Sequence, residues 1–382
     1  MEKGKIRTFL GKEYNVRIFN RMSNLVKYFT RLEKVIFYTF AAILVVTGIT
    51  LLFKVNKNFL VEVPDYGGTL VEGIVGYPRF INPVLSTSDS DKDLTSLVYS
   101  GLLKTTSDGS IILDLADEYE ISADGLTYKV TLKDNATFHD GTKVTADDVI
   151  FTIEKVQDPT LKSPRSGAWE GIRVQKVDDR TVIFTLSQSY SPFLQSLSLG
   201  ILPKHIWKNI SIEEFPFSQF NIKPIGSGPY KIDSQNYSGN GLPNEYKLKS
   251  FNKYALGKPY ITSINIKSYS SERELTDSYK NGDIESIHSI SPKNLPDLRV
   301  KNDDVIFSPL PRIFGVFFNQ NIAQVFVNKE VREALEIATD KKEIINTILG
   351  GYGQIIDNPV PGETALNNET KNIEERVIQA KT

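Results

Sequence analysis

The hydrophobic pattern divides the chain into one long apolar run and a longer region of mixed polar and apolar residues. The run Val35–Phe53 has 19 residues without a charge, and Lys34 and Lys54 bracket it. At about 1.5 Å per helical residue it spans about 28 Å, close to the ~30 Å hydrocarbon core of a bilayer. A buried core helix would carry a polar stripe, whereas the polar residues here are three threonines and one tyrosine. The pattern therefore predicts a transmembrane helix.

The distribution of charge predicts how this helix is oriented across the membrane. Residues 1–34 contain nine Lys or Arg and three Glu, a net charge of +6. Such an excess predicts a cytoplasmic N-terminal segment, with everything after the helix outside. A cleaved signal peptide is the alternative, but it has a short charged region and a small-x-small cleavage site. Residues 1–34 are too long for such a region, and Lys54–Lys57 offers no such site. We therefore expect an uncleaved anchor.

A second apolar periodicity precedes the anchor. Apolar residues recur there at spacings of four, three, four and three, which places them on one helix face. They are Ile18, Met22, Leu25, Phe29 and Leu32. A short helix lying on the lipid headgroups fits this pattern. A helix that packs against a partner helix fits it equally well.

Downstream of a tether, residues 54–67, strand patterns and helix patterns are mixed. This mixture predicts an α/β or α+β domain. The predicted strands are Thr69–Val71, Leu126–Leu132, Val174–Val177, Arg180–Leu186, Tyr230–Ile232, Tyr246–Leu248, Ile261–Ile266 and Phe314–Phe318. The predicted helices are Asp93–Leu103, a helix capped by Thr145 that ends before Asp158, and a helix pair over Glu330–Leu349 broken near Asp340.

Composition removes several kinds of chemistry. The chain has no cysteine, which excludes disulfides, thiolate metal sites, a cysteine nucleophile and a lipid-modified cysteine. Its three histidines are His139, His205 and His288, and their wide spacing argues against a multi-histidine metal site. We expect no metal and no cofactor. The net charge of −1 leaves −7 outside the basic N-terminus, so we expect no nucleic-acid partner.

Two short motifs invite catalytic interpretations. His139-Asp140-Gly141 also occurs in metal-dependent phosphohydrolases, but the other two histidines have no suitable partners for such a site. It is better explained as a turn between a strand and a capped helix. Gly226-Ser227-Gly228-Pro229 resembles a phosphate cradle, yet neither a lysine nor a helix start follows as a P-loop requires. We expect a tight bend that leads into the strand at Tyr230.

Five ordered blocks carry a family resemblance. The longest is ADEYEISADGLTYKVTLKDNATFHDGTKVTADDVIFTIEKVQDP, from Ala116 to Pro159. The others are ILPKHIW, PIGSGPYKI, NKYALGKPYITSINI and VREALEIATDKKEI, in the family's order. Together with INP at residues 81–83 they resemble the family 5 solute-binding proteins of ABC importers, which bind oligopeptides, dipeptides or nickel. The resemblance covers about residues 68–361.

The resemblance implies a mixed α/β periplasmic-binding-protein-like fold of two lobes that close over a ligand. Lobe I would span residues 68–308, with an inserted subdomain at about 100–201. Lobe II would begin at residue 309. Typical members are longer by well over a hundred residues, so we expect lobe II, residues 309–382, to be truncated. An incomplete lobe should leave Ile344, Ile345, Ile348 and Leu349 partly uncovered.

The resemblance also implies a ligand cleft. It would be lined by the loop after Asn82-Pro83 and by the loop Ser163–Trp169, and extended peptides would be held there by backbone hydrogen bonds and side-chain pockets. Asp89 would hold a ligand's amino end and Arg165 its carboxylate. The predicted contacts are Thr87, Ser88, Asp89, Arg165, Trp169 and Tyr254.

Three functions follow from these observations. The first is the substrate-binding subunit of an ABC importer, which takes up peptides, or a related small solute, and has permease and ATPase subunits as partners. The second is a membrane-tethered ectodomain that senses peptides or holds proteins without transport. The third is an enzyme such as a peptidase or glycosidase, but the sequence has neither G-x-S-x-G nor H-E-x-x-H. We expect no enzymatic activity.

Overall fold

A long helix, α1 (Arg31–Phe59), lies in the first of two compact units, Met1–Asp65. The structure is a computed structural model that describes residues 28–59, 63–107, 109–190, 192–237, 239, 241–298 and 313–356. Residues Arg31–Val55 of α1 are long and apolar enough to cross a membrane, and no part of this stretch is buried within the chain. The predicted face with Ile18, Met22 and Leu25 lies outside the described residues.

The second unit, Tyr66–Thr382, contains the sheets and the remaining helices. Its strands, in chain order, are β1 (Gly67–Val75), β2 (Leu103–Thr105), β3 (Ile111–Leu113), β4 (Ala116–Ile121), β5 (Thr127–Leu132), β6 (Arg173–Lys176), β7 (Thr181–Thr185), β8 (Tyr230–Tyr237), β9 (Pro243–Ser250), β10 (Ile261–Tyr269) and β11 (Ser286–Ile287). Its helices are α2 (Asp89–Val98), α3 (Ala146–Gln157), α4 (Phe193–Ser196), α5 (Lys204–Trp207), α6 (Glu272–Asn281), α7 (Leu295–Leu298), α8 (Lys329–Ala338) and α9 (Lys341–Ile348).

The larger sheet has five strands in the order β11-β1-β10-β9-β8. Strand β1 runs parallel to both β10 and β11, with Leu70 opposite Ile264 and Glu72 opposite Ser286. The pairs β10–β9 and β9–β8 are antiparallel. The carboxyl ends of β1, β10 and β11 therefore meet at one edge, here called the carboxyl edge, and the amino ends of β1 and β10 meet at the opposite edge.

The second sheet has four antiparallel strands in the order β4-β5-β7-β6. Strand β5 alternates as predicted, with Tyr128, Val130 and Leu132 buried. The predicted hairpin is β6–β7. Helix α3 begins at the predicted capping box, in which Thr145 and Asp148 satisfy each other's backbone N–H groups. These three predictions from local pattern are confirmed. The domain boundaries at 68, 100, 201 and 308 stay predictions.

Helix α2 differs from its predicted bounds. It begins at Asp89, four residues earlier than expected, because Ser88 forms a capping box with Asp91. It ends at Val98, because Tyr99 adopts an extended conformation with φ −115° and ψ 147°. The predicted range Asp93–Leu103 is therefore wrong at both ends. A cap preceding an acidic turn, rather than the first apolar position, sets where this helix begins.

The bend Gly226-Ser227-Gly228 joins two parts of the fold. Gly228 N–H donates to the Val98 carbonyl (2.8 Å), and His139 N–H donates to the Gly226 carbonyl (2.8 Å). The His139 ring completes the contact, since its Nδ1 accepts from Gly226 N–H (3.3 Å) and its Nε2 lies 3.1 Å from the Gly228 carbonyl. Burial lowers the pKa of His139 to about 4, which keeps the ring neutral as these bonds require. Strand β8 follows, so the predicted tight bend is confirmed.

Residues 313–356 contain α8 and α9 but no strand. The helix pair is confirmed, and Asp340 caps α9 by accepting from Glu343 N–H. The predicted strand Phe314–Phe318 is wrong, because no other strand among the described residues pairs with this segment. Phe314, Val316 and Phe317 are exposed, Phe317 to 92%, whereas Phe318 is half-buried.

The expected uncovered face of α9 is present. Ile344 and Ile348 are exposed, and Ile345 and Leu349 are half-buried. The prediction that these four side chains are only partly covered is therefore confirmed.

The bend gives the first testable prediction. A Cβ at Gly226 would overlap the Val98 carbonyl oxygen, and one at Gly228 would lie 2.6 Å from the Val98 carbonyl carbon. Backbone atoms cannot move aside as a flexible side chain can. We expect Gly226→Ala to lower the free energy of unfolding by about 1–3 kcal/mol or more, the usual cost of overpacking.

Urea unfolding of the two forms measures this loss. Gly167→Ala is the matched control, because a Cβ there has no neighbour within 4 Å. Equal unfolding midpoints for Gly226→Ala and Gly167→Ala would contradict the close approach.

Candidate ligand-binding cleft

The carboxyl edge of the five-stranded sheet carries the candidate site. In open α/β sheets, ligands bind outside the carboxyl ends of the strands. Strand β1 ends here at Val75 and continues into the loop 76–88, which leads to α2. Strand β11 ends here at Ile287, immediately before His288.

Two buried polar side chains fix the loop 76–88. Asp91, in the first turn of α2, accepts the backbone N–H groups of Arg79 (2.7 Å) and Phe80 (2.9 Å). Asn82 accepts from Val84 N–H (2.9 Å) and donates to the Asn221 side chain (2.9 Å). Because both side chains are buried with partners, the loop has a defined conformation instead of a loose one.

The second predicted cleft loop lies beside the first. Ser163 is buried, and its hydroxyl donates to the Val84 carbonyl over 2.6 Å. The same oxygen accepts from Arg165 N–H at 3.2 Å. The preceding Lys162 has a left-handed φ of 48°, which turns the chain at this contact. One serine thus joins two loops that are 79 residues apart in sequence.

Four of the six predicted contacts lie at this junction with exposed side chains. Thr87, Ser88 and Asp89 are exposed at the beginning of α2, and Arg165 is exposed in the second loop. Ser88 Oγ caps α2 by accepting from Asp91 N–H (3.1 Å). The Asp89 carboxylate lies 3.3 Å from Lys92 Nζ. The structure therefore places an anionic side chain at the beginning of α2 and a cationic side chain in the loop joined to the chain before it.

The other two predicted contacts are buried elsewhere. Trp169 is 2% exposed, and its indole packs against the rings of Phe184 and Phe193. Tyr254 is 8% exposed, and its hydroxyl lies 3.3 Å from Lys104 Nζ. Trp169 therefore lies in the core, and its large apolar side chain is a sufficient reason for that position.

Tyr254 belongs to a buried polar group beside the β2–β3 hairpin. The neighbouring Asp114 is buried, and this burial raises the pKa of its carboxyl group to about 6, although Ser100 and Lys104 oppose the rise. Burial and the nearby Asp114 also raise the pKa of the Tyr254 hydroxyl. These contacts make Tyr254 a structural residue in this arrangement.

Sequence reasoning missed His288 as a residue of the carboxyl edge. Its Nδ1 lies 2.9 Å from Glu72 Oε1 on β1, and its Nε2 lies 2.9 Å from Asp93 Oδ2 on α2. Since both carboxylates accept, both ring nitrogens donate, and the imidazole carries a positive charge. Hydrogen bonds from Asp93 and Glu72 raise the pKa of His288 to about 10, against the opposing effect of burial.

This ion triad connects β1, α2 and the end of β11. His288 lies 195 residues from Asp93 and 216 residues from Glu72 in sequence, so no local motif could have revealed the triad. The signal in the sequence was a lone histidine at position 288. By holding α2 against the sheet, the triad positions the exposed residues at the beginning of that helix.

The histidines do not form a metal centre. His205 Nε2 contacts Asp140 at 2.7 Å, and His139 is engaged by the glycine bend. Within the described ranges, no group of three or more His, Cys, Asp or Glu side chains could hold a metal ion.

The triad gives a pH prediction. A histidine whose pKa is raised by folding stabilises the fold fully below its unfolded pKa of about 6.5, and this contribution is lost as pH rises towards 10. At pH 6 we expect His288→Gln to lower the free energy of unfolding by about 1 kcal/mol. The loss is modest because the side chains of His288, Glu72 and Asp93 are partly exposed. The cost should shrink steadily between pH 6.5 and 10.

Urea unfolding across this pH range gives the difference between wild type and variant. His205→Gln is a matched control, since its single carboxylate contact lies in another part of the chain. A His288→Gln cost that stays constant from pH 6 to 10 would contradict a charged His288.

Comparison with known sequences identifies relatives. The family model described as bacterial extracellular solute-binding proteins, family 5, middle, matches residues 110–382. The oligopeptide-binding protein AppA of Bacillus subtilis is 31% identical over 296 residues, which are 76% of this chain and 53% of that protein. The glutathione-binding protein GsiB of Pectobacterium atrosepticum is 26% identical, over 74% of this chain and 54% of that protein.

Solved structures agree with the fold. The structure of Bacillus subtilis AppA with a nonapeptide matches 84% of this chain and 64% of its own, with a TM-score of 0.63 and 29% identity. The ABC transporter substrate-binding protein CtaP of Listeria monocytogenes matches 74% of this chain and 57% of its own, with a TM-score of 0.63 and 33% identity. The chain spans about half the length of the curated relatives it matches. Its fold is the mixed α/β fold of periplasmic binding proteins, and the chain belongs to the family 5 bacterial extracellular solute-binding proteins.

Proposed function

We propose that the chain is the extracytoplasmic substrate-binding subunit of an ABC importer. It captures peptides, or a related small solute, and delivers them to a permease. The observation that carries this proposal is the family match over residues 110–382. The convergence of two polar loops at the carboxyl edge supports it, because this edge is where open α/β sheets bind ligands.

Peptides are the ligands that the site chemistry favours. A peptide brings an ammonium group, a carboxylate and an unpaired backbone, and all three need partners when buried. Asp89 would hold the amino end and Arg165 the carboxylate, with Thr87 and Ser88 supplying hydroxyl groups. Asp89 is exposed at the first residue of α2 and Arg165 is exposed in the second loop, and Ser163 joins that loop to the one that leads to α2. AppA supports a peptide ligand and GsiB supports glutathione, itself a small peptide.

Trp169 and Tyr254 do not contact the ligand directly in this arrangement. Both rings are enclosed by other residues, so a ligand in the cleft would not reach them without rearrangement of the core. His288, Glu72 and Asp93 contribute indirectly, because they hold α2 in the position from which its first residues would meet the ligand.

A second function, that of a membrane-tethered ectodomain without transport, is supported by the exposed apolar side chains near the end of the described residues. Apolar side chains are exposed along residues 313–348, among them Phe314, Phe317 and Ile348, and they leave an apolar surface uncovered. Such surfaces favour association with other proteins. A membrane-tethered ectodomain that senses peptides or holds partner proteins, without transport, would use this surface.

Transport separates the two functions. A binding subunit loaded with ligand should raise ATP hydrolysis by its permease–ATPase complex in the same membrane. An ectodomain without a transport role should leave that rate unchanged.

Membrane attachment is part of the proposal. Residues Val35–Phe53 would cross the inner membrane once, with the N-terminus in the cytoplasm and the solute-binding unit outside. The exposed apolar surface of α1 supports this arrangement.

The attachment is tested in the native host. We expect the chain to stay with membranes after alkaline carbonate washing and to retain residues 1–34 at its N-terminus, as peptide mass mapping would show. Deletion of residues 35–53 should release it, because the remaining chain has no comparable apolar run. A mature protein that begins near residue 56 would contradict the uncleaved anchor.

The ligand site is tested by isothermal titration of the detergent-solubilised chain with a peptide found by native mass spectrometry of the host protein. Arg165→Ala should weaken binding of the peptide acid about tenfold or more, because a charged hydrogen bond is lost. Binding of the C-terminally amidated peptide should change far less. Asp89→Asn should likewise weaken binding of the peptide with a free amino group, and should change binding of the N-acetylated peptide far less.

Two control variants match these changes in charge. Arg173→Ala removes an exposed arginine from β6, and Asp117→Asn removes an exposed carboxylate from β4. Neither should alter affinity. If Arg165→Ala and Arg173→Ala bind every peptide equally well, Arg165 has no role in ligand binding.

A further inference from the structure

The amino edge of the five-stranded sheet carries an exposed aromatic pair. The rings of Tyr66 and Tyr260 stack with centroids 4.9 Å apart and an interplanar angle of 24°. About half of each residue is exposed, 53% for Tyr66 and 51% for Tyr260. Aromatic rings so placed present an apolar face and a polar hydroxyl to the surroundings.

Backbone pairing holds this aromatic pair together. Gly67 N–H donates to the Tyr260 carbonyl over 2.9 Å, and Gly67 is opposite Ile261 where β1 and β10 begin. The rings therefore keep their positions because the sheet does. We call Tyr66, Tyr260 and the loop 251–259 the aromatic edge.

The loop 251–259 adds positive charge. Its lysines, Lys253 and Lys258, are exposed, and it contains no acidic residue. Lys258 Nζ lies 5.0 Å from the centre of the Tyr66 ring, within the range of a cation–π contact. The acidic neighbour is Asp65, which precedes Tyr66 in the chain. Tyrosine beside lysine is the composition of protein segments that lie at a membrane–water interface.

Chain length limits how far this edge can lie from the bilayer. Eleven residues lead from Val55, the last residue of the apolar span, to Tyr66. Even fully extended, they reach about 35–40 Å. With the anchor in the membrane, the aromatic edge is therefore at high local concentration next to the headgroups.

We propose that the aromatic edge binds the anionic phospholipid headgroups of the membrane that holds the anchor. This inference rests on the proposed anchor. Lys253 and Lys258 attract the phosphates, and the tyrosine rings enter the interface with their hydroxyl groups towards water. The carboxyl edge, about 26 Å away along β10, then points away from the lipid surface and stays open to solutes.

The absence of cysteine in the sequence makes a direct test possible. The full chain is placed in nanodiscs of phosphatidylcholine alone or with 30% phosphatidylglycerol. It carries one nitroxide label at Leu256→Cys, in the aromatic edge, or at Arg273→Cys, an exposed residue in the first turn of α6 at the carboxyl edge. The readout is collision of the label with a water-soluble nickel chelate, measured by electron paramagnetic resonance.

We expect collisions at position 256 to fall at least twofold with phosphatidylglycerol and to recover in 0.5 M NaCl, because salt screens exposed charges. Collisions at position 273 should not change. Replacing Lys253 and Lys258 by serine should abolish the difference at 256, since each lysine near an anionic surface favours binding about fivefold. Lys92→Ser plus Lys129→Ser should leave the difference unchanged, since both lysines lie outside this edge with side chains 45% and 43% exposed.

Two results at these labels would overturn the proposal. Equal collisions at 256 in the two lipids would show that the edge does not bind anionic lipid, and equal losses at 256 and 273 would show that binding is not oriented. A chain that washes out of the discs contradicts the anchor separately. The same labels with free phosphatidylglycerol vesicles then test the edge, and an unchanged signal at 256 overturns it.

Discussion

The contact on which the rest of the structure depends is the approach of the Gly226–Gly228 bend to the end of α2. Here two backbone segments meet without intervening side chains, and the neutral His139 ring accepts and donates across the bend. Through His139, the contact links the turn before α3 to the residues just before β8. It therefore connects the four-stranded sheet with the five-stranded one. Close packing of this kind tolerates little adjustment, because interiors have few voids to absorb displaced atoms.

The candidate ligand edge follows from that frame through buried polar groups. Asp91 and Asn82 hold the first loop, Ser163 joins the second loop to it, and His288 holds α2 to the sheet. Each of these side chains satisfies a backbone group or a charge that would be costly to leave unpaired when buried. Exposed residues at the beginning of α2 are thereby presented on a rigid support, which limits the ordering cost of binding a ligand.

The two ends of the β1 and β10 strands have different chemistry. Their carboxyl ends carry polar loops and the ion triad, whereas their amino ends carry stacked tyrosines and lysines. In residues 313–356, by contrast, apolar side chains of an amphipathic helix pair face outwards. This segment has the sequence pattern of a packed layer, and the chain spans about half the length of its curated relatives.

The sequence by itself determined the elements that depend on near neighbours. The apolar run of α1, the alternation in β5, the β6–β7 hairpin and the capping box of α3 could all be predicted, because their patterns repeat within a few residues. The cleft loops could be named from the family blocks, and four of the six predicted contacts lie exposed where those loops meet. Tertiary structure decided the rest. Trp169 and Tyr254 are buried by partners distant in sequence, and no strand in the described part of the chain pairs with Phe314–Phe318 as a strand requires. His288 depends on carboxylates about 200 residues away, and no local pattern records such a contact.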